Sequence, residues 1–186
     1  MTALSALWLP ILLSAVIVFV VSSIVHMVLP WHKGDYPPVP NQDALLDAIR
    51  PFNLQDGDYL VPRAGGMAEM RSEEFKAKFH RGPMLIMTVV AKPSLAMGKQ
   101  LFQWFVYLVV VAIFAGYVTC HALAPGAPYL QVFRFVGAVA FAGFALGLWQ
   151  LSIWYRRGLG LTFKSTIDGL LYACLMAGTF GWLWPK

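Results

Sequence analysis

Charge is scarce in this chain. Of its 186 residues, only 12% are Asp, Glu, Lys or Arg, about half the share carried by a soluble domain. That shortage removes the ordinary means of wetting a large surface. Cysteine is nearly missing too. Cys120 and Cys174 are the only two, they form no C-x-x-C pair, and the C-x-x-C-H that covalent haem attachment needs is missing. Two free thiols are expected rather than a disulfide. No G-x-x-x-x-G-K-[ST] loop occurs, and Met97-Gly-Lys99 lacks the rest of one. G-x-S-x-G and H-E-x-x-H are likewise lacking. The usual signatures of phosphate cradles, serine hydrolases and zinc peptidases are therefore not in this chain.

What is present is apolar length. Hydrophobic residues make up 59% of the chain, with a mean hydropathy of +0.64. They gather in four runs, 3–29, 100–123, 130–154 and 165–184. A hydrocarbon core about 30 Å thick needs about 20 helical residues. Water is absent there, so the backbone of each run must satisfy its own hydrogen bonds as a helix. The expected fold is an all-α membrane protein: four transmembrane helices with a small α/β cap between helices 1 and 2. Met1-Thr2-Ala3 offers no basic n-region, and the apolar stretch after it outruns a signal peptide, so an uncleaved first helix is expected.

The cap is residues 31–99. Tyr36-Pro-Pro-Val-Pro40 is a stiff connector. A short helix to Ile49 follows, then a strand Asp58–Val61, a helix Glu73–His80 capped by Ser72, and a strand Met84–Ala91. Two strands are not stable alone, so the cap is expected to lean on something else. The net charge of +5 is not a nucleic-acid footprint. Residues 33–99 mix both signs, and Arg156, Arg157 and Lys164 flank the last two runs. By the positive-inside rule the 154–165 loop and residues 31–99 face the cytoplasm, and both termini lie outside. The expected address is a membrane, crossed several times, with no nucleic-acid partner.

Two patterns are candidates for function. The first is small residues spaced four apart: Gly169, Ala173, Ala177 and Gly181 in the last run, Ala112 and Gly116 in the second, Gly143 and Gly147 in the third. Small faces let helices approach closely in lipid, within one bundle or against another subunit or copy. The second is a polar cluster at the cytoplasmic level. His26 precedes the end of the first run, His32 and Asp35 follow it, and Asp168 lies inside the last. Ionisable groups within spans seek partners, and Lys164, Arg157 and His26 are candidates for Asp168. Imidazole and carboxylate are also competent ligands for a divalent metal such as zinc. The His-x5-His spacing matches no established motif. Arg134 can snorkel to the outer interface. The methionines of residues 67–97 suit packing better than copper ligation.

Ser22-Ser-Ile-Val-His-Met-Val-Leu29 with His32 and Asp35-Tyr36, then Gln103-Trp-Phe-Val-Tyr107, Leu130-Gln-Val-Phe-Arg134 and Gly178-Thr-Phe-Gly-Trp-Leu-Trp184, resembles an uncharacterised family of bacterial four-span integral membrane proteins. The likeness runs over nearly the whole chain. It implies the span count and the cap, and brings no reaction, cofactor or assigned residue. The leading expectation is a non-enzymatic accessory or scaffolding subunit of a membrane complex. A metal- or redox-linked membrane protein using His26, His32, Asp35 and Asp168 is the alternative. A small transporter acting as an oligomer is third.

Overall fold

The computed structural model describes residues 3–186. It divides into two compact units, one of residues up to Pro37 together with Ala96–Lys186, the other Pro38–Leu95.

The first unit is a helical bundle. A 3₁₀ turn, Leu4–Leu7, leads into α1 (Trp8–Ser23). Pro10 sits in the first turn of α1, where its missing N–H costs no helical bond. The helix then widens into a π turn over Ile24–Val28, closed by the Leu29 N–H donating to the Ile24 carbonyl at 3.0 Å. Leu29 is extended, as a residue before proline should be, and Pro30 opens a 3₁₀ turn to His32. After the second unit come α5 (Gly98–Ala122), α6 (Tyr129–Phe144), a 3₁₀ turn Leu146–Leu148, α7 (Trp149–Tyr155) and α8 (Leu159–Trp182). The single run expected over 130–154 is thus broken at Ala145. Tyr107 Oη donates to the Gly143 carbonyl at 2.6 Å beside the break, the side-chain compensation that lets irregular backbone persist at membrane depth.

Each bundle helix buries one stripe at helical spacing: Leu7, Ile11, Ala15 and Val18; Leu108, Val111 and Ala115; Val132, Val136 and Ala140; Ala173, Met176 and Phe180. The opposite faces stay apolar. Leu12, Val16, Val20, Phe114, Ile153 and Leu170 are all more than one-third exposed. Apolar outside as well as inside marks a solvent of hydrocarbon.

Among the described residues, three helices are long and apolar enough to cross a membrane, Leu4–Val28, Gly98–Ala122 and Tyr129–Tyr155. The fourth expected span is not among them. Its helix, α8, starts at Leu159 instead of Ser165 and has length enough at 24 residues. Lys164, Ser165, Thr166 and Asp168 in its first half lower its hydropathy. α8 packs against both α6 and α1. Its small residues explain how close α6 comes: a Cβ on Gly169 would stand 3.0 Å from the Ala145 Cβ, and one on Gly181 2.7 Å from the Tyr129 ring.

The second unit holds α2 (Gln42–Ile49), β1 (Gly57–Val61), α3 (Met67–Met70), α4 (Glu73–Arg81) and β2 (Leu85–Val89). Asn41 caps α2, accepting from the Ala44 N–H at 3.3 Å, and Ser72 caps α4, accepting from the Phe75 N–H at 3.1 Å. β1 and β2 pair antiparallel, Gly57 opposite Val89 and Val61 opposite Leu85. No residue of Pro38–Leu95 is buried.

Candidate metal centre

Where α1 ends, the chain turns sharply twice, and both turns carry histidine. The π turn presents His26, and the 3₁₀ turn presents Trp31 and His32. π turns recur at functional sites because the added residue re-aims a side chain. Opposite them, the first half of α8 presents Lys164 and Asp168. One ligand atom from each of His26, His32 and Asp168 lies within 4.8 Å of the others.

The hydrogen bonds around this trio are specific. Asp168, 6% exposed, receives the Trp31 indole N–H on Oδ1 at 3.1 Å. His32 Nδ1 lies 2.5 Å from Asp35 Oδ2. Lys164 Nζ donates to Asp35 Oδ1 and to the Trp31 carbonyl, both at 2.8 Å, and stands 5.4 Å above the Trp31 ring. The Lys164 hydrogen bond, seconded by His32, holds the Asp35 carboxyl below the usual carboxylate range. An ionised Asp35 only accepts, so His32 Nδ1 must be the donor. His32 Nε2 faces Asp168 Oδ2 at 3.0 Å; in the neutral ring that nitrogen then carries the remaining lone pair, and in the imidazolium the two atoms form an ion pair. Neither atom makes a hydrogen bond, although both are buried. Two lone pairs so close repel each other unless a positive charge lies between or beside them.

The His26 ring stacks on His32, centroids 4.1 Å apart and 17° from parallel. Stacked rings hold their lone pairs side by side. For both to face one ion the exposed His26 ring must tilt. Metal bonds of about 2.0–2.1 Å also require the trio to contract somewhat on binding. The set supplies two imidazoles and one carboxylate, with positions left for water or another ligand, which suits zinc or ferrous iron. Asp35, accepting from the far nitrogen of His32, stands where a carboxylate orients a ligating histidine.

Of the residues singled out from sequence, His26, His32 and Asp168 converge, and Asp35 joins through His32. Lys164 meets Asp35 and not Asp168. Arg157 reaches Ser165 Oγ at 3.5 Å. Trp31 and Tyr172 were not singled out as part of the cluster. A tryptophan one residue from His32 was the available signal for the first, and no local signal existed for the second. The small residues lie mostly within the bundle: Ala112, Gly116, Gly169, Ala173 and Ala177 are buried. A Cβ on Gly143 would touch Val111 at 3.4 Å, while one on Gly147 would meet nothing within 4 Å. Cys120 and Cys174 are free thiols, the first buried and the second exposed.

Comparison of the chain with protein-family models, with curated proteins and with solved structures finds no match.

Proposed function

We propose that this chain is a four-span protein of a bacterial inner membrane that binds a divalent metal ion through His26, His32 and Asp168. The observation that carries the metal is the facing pair of buried, unbonded atoms, His32 Nε2 and Asp168 Oδ2. A cation drawn from solution would convert their repulsion into two coordinate bonds, and the exposed His26 would close over it. Asp35 and Lys164 would hold the His32 ring in the binding tautomer.

The fourth span of the proposal is α8. A helix lodged against α1 and α6 needs less lipid-facing apolar surface than its neighbours, and its carboxylate finds partners within the bundle. Arg156, Arg157 and Lys164 support a cytoplasmic end for the cluster. At the opposite end, the Trp184 indole donates to the Ala124 carbonyl at 3.1 Å and the Gly126 N–H to the Pro185 carbonyl at 2.8 Å, consistent with an external C-terminus beside the 124–128 loop. A scaffolding role draws less support, because the small faces that suggested it are largely taken up by contacts among α1, α5, α6 and α8.

The test is elemental analysis of the full chain purified in mild detergent, before and after incubation with zinc or ferrous iron. About one ion per chain is expected in the wild type, lost in His26→Ala, His32→Ala and Asp168→Asn. No bound metal under either condition refutes the reading and leaves an imidazolium clamped between two carboxylates.

A further inference from the structure

Next to the metal trio lies a cavity of about 270 Å³. Trp104, Tyr107, Phe144 and Tyr172 wall it, and His26 and Asp168 line it too. The four rings form one connected surface. Trp104 stacks on Tyr107 at 5.5 Å, meets Tyr172 nearly edge-on at 6.2 Å, and Tyr172 meets Phe144 at right angles at 5.9 Å. Trp104 is fixed from behind, its indole N–H donating to Ser22 Oγ at 2.9 Å.

One wall residue is incomplete. Tyr172 is 3% exposed, and its hydroxyl is buried with no hydrogen-bond partner. Native structures seldom leave a buried hydroxyl unbonded. A donor standing idle in the lining of a cavity calls for an acceptor brought in by a ligand.

The walls decide what kind. Flat rings accept another flat ring by offset or edge contact. The volume lies just below the usual range for small-molecule sites, so it holds a single ring and not a lipid headgroup with its chains. Among the described residues no Lys or Arg lines the cavity, so away from the metal proposed for its corner nothing there would hold an anion. A quaternary ammonium would suit an aromatic box beside a carboxylate. It carries no acceptor for Tyr172, however, and would oppose the metal charge proposed for the same corner. What remains is a neutral planar ring bearing oxygen. Tyr107 lines the cavity and is 39% exposed, so one wall of the cavity extends to the surface of the bundle, a path open to a ligand dissolved in the lipid.

We propose that this cavity binds the ring of a membrane-soluble quinone or quinol, with the Tyr172 hydroxyl donating to a ring oxygen beside the His26–Asp168 metal set. The inference rests on the metal reading and gives it a substrate class.

The experiment uses the full chain in mild detergent, as purified and zinc-loaded, titrated with a short-tailed benzoquinone. Tryptophan quenching reports binding, with metal content measured on the same samples. Saturable quenching is expected, absent from Leu148→Trp, whose larger ring fills the cavity. Tyr172→Phe keeps the wall and removes only the donor, so its Kd should rise about tenfold, the value of one buried hydrogen bond. Metal content should not change in Tyr172→Phe. Quenching that never saturates, or that is identical in all three proteins, overturns the proposal, and so does saturable binding of tetramethylammonium in place of the quinone. Because metal is counted separately, loss of ring binding with metal retained refutes this inference alone.

Discussion

Asp35→Asn is the most discriminating perturbation of the proposed metal trio, because it alters none of the three proposed ligands. Asp35 spends one oxygen on His32 Nδ1 at 2.5 Å and the other on Lys164 Nζ at 2.8 Å. Asparagine has the same shape but one acceptor oxygen and two amide hydrogens. Whichever way it turns, an N–H meets a donor, the His32 ring or the lysine. The lysine is partly exposed and can swing into water. The His32 ring cannot move without losing its place opposite Asp168. Partners that orient a ligating imidazole contribute about 10- to 100-fold in metal affinity, equivalent to about 1.4–2.7 kcal/mol. The expected result lies toward the upper end, since a carboxylate is replaced and a donor clash is added. Competition with a chromophoric zinc chelator in detergent reads the affinity, and elemental analysis should still find one ion per chain at saturating metal. Zinc binding within twofold of wild type would refute the reasoning, provided His32→Ala binds none. If His32→Ala also binds normally, the trio itself is wrong.

Three further outcomes follow from the architecture. Gly169→Val forces side-chain atoms onto Ala145 and the Phe144 backbone and should cost about 1–3 kcal/mol of stability, whereas Gly147→Ala enters open space and should cost under about 0.5 kcal/mol; thermal unfolding in detergent compares them, and equal losses would contradict the α6–α8 contact. Residues 38–95 expressed alone should show no cooperative unfolding by circular dichroism, because none of them is buried and two strands do not sustain a sheet; a sharp transition would show otherwise. A cysteine placed at Ala127 should react with an impermeant maleimide in intact cells, and one at Gly158 only after permeabilisation; the reverse pattern would invert the proposed orientation.

Much of the bundle was legible because lipid imposes so simple a rule. Runs of twenty apolar residues can be read without knowing their neighbours, and the cap Ser72 speaks through a local hydrogen bond. The breaks were not legible. Nothing near Ala145 announces an interruption, since Gly143 and Gly147 serve equally well as packing residues in an unbroken helix. The start of α8 at Leu159 was hidden by Lys164, which lowers hydropathy where the helix has already begun. In the candidate site, the histidines and Asp168 could be placed at one depth by counting turns. Their azimuth could not, because it depends on the π turn, which has no sequence signature. Lys164 was near enough in depth to reach either carboxylate, and only the folded path of Trp31–Asp35 decides that it takes Asp35. Tyr172 became notable only once its hydroxyl was seen to lack a partner.

The widened turn at Ile24–Val28 bears on how such a protein tolerates mutation by insertion and deletion. Each residue of an α-helix advances the azimuth by about 100°. Removing any one residue between Val20 and Ile24 would restore regular α geometry and leave the transmembrane length nearly unchanged. His26 would then lose the wide turn that presents it beside His32 and Asp168, while the Pro30 elbow kept its place. Homologous chains that keep the two histidines should therefore keep the length of this segment to the residue, while those that have lost them are free to shorten it.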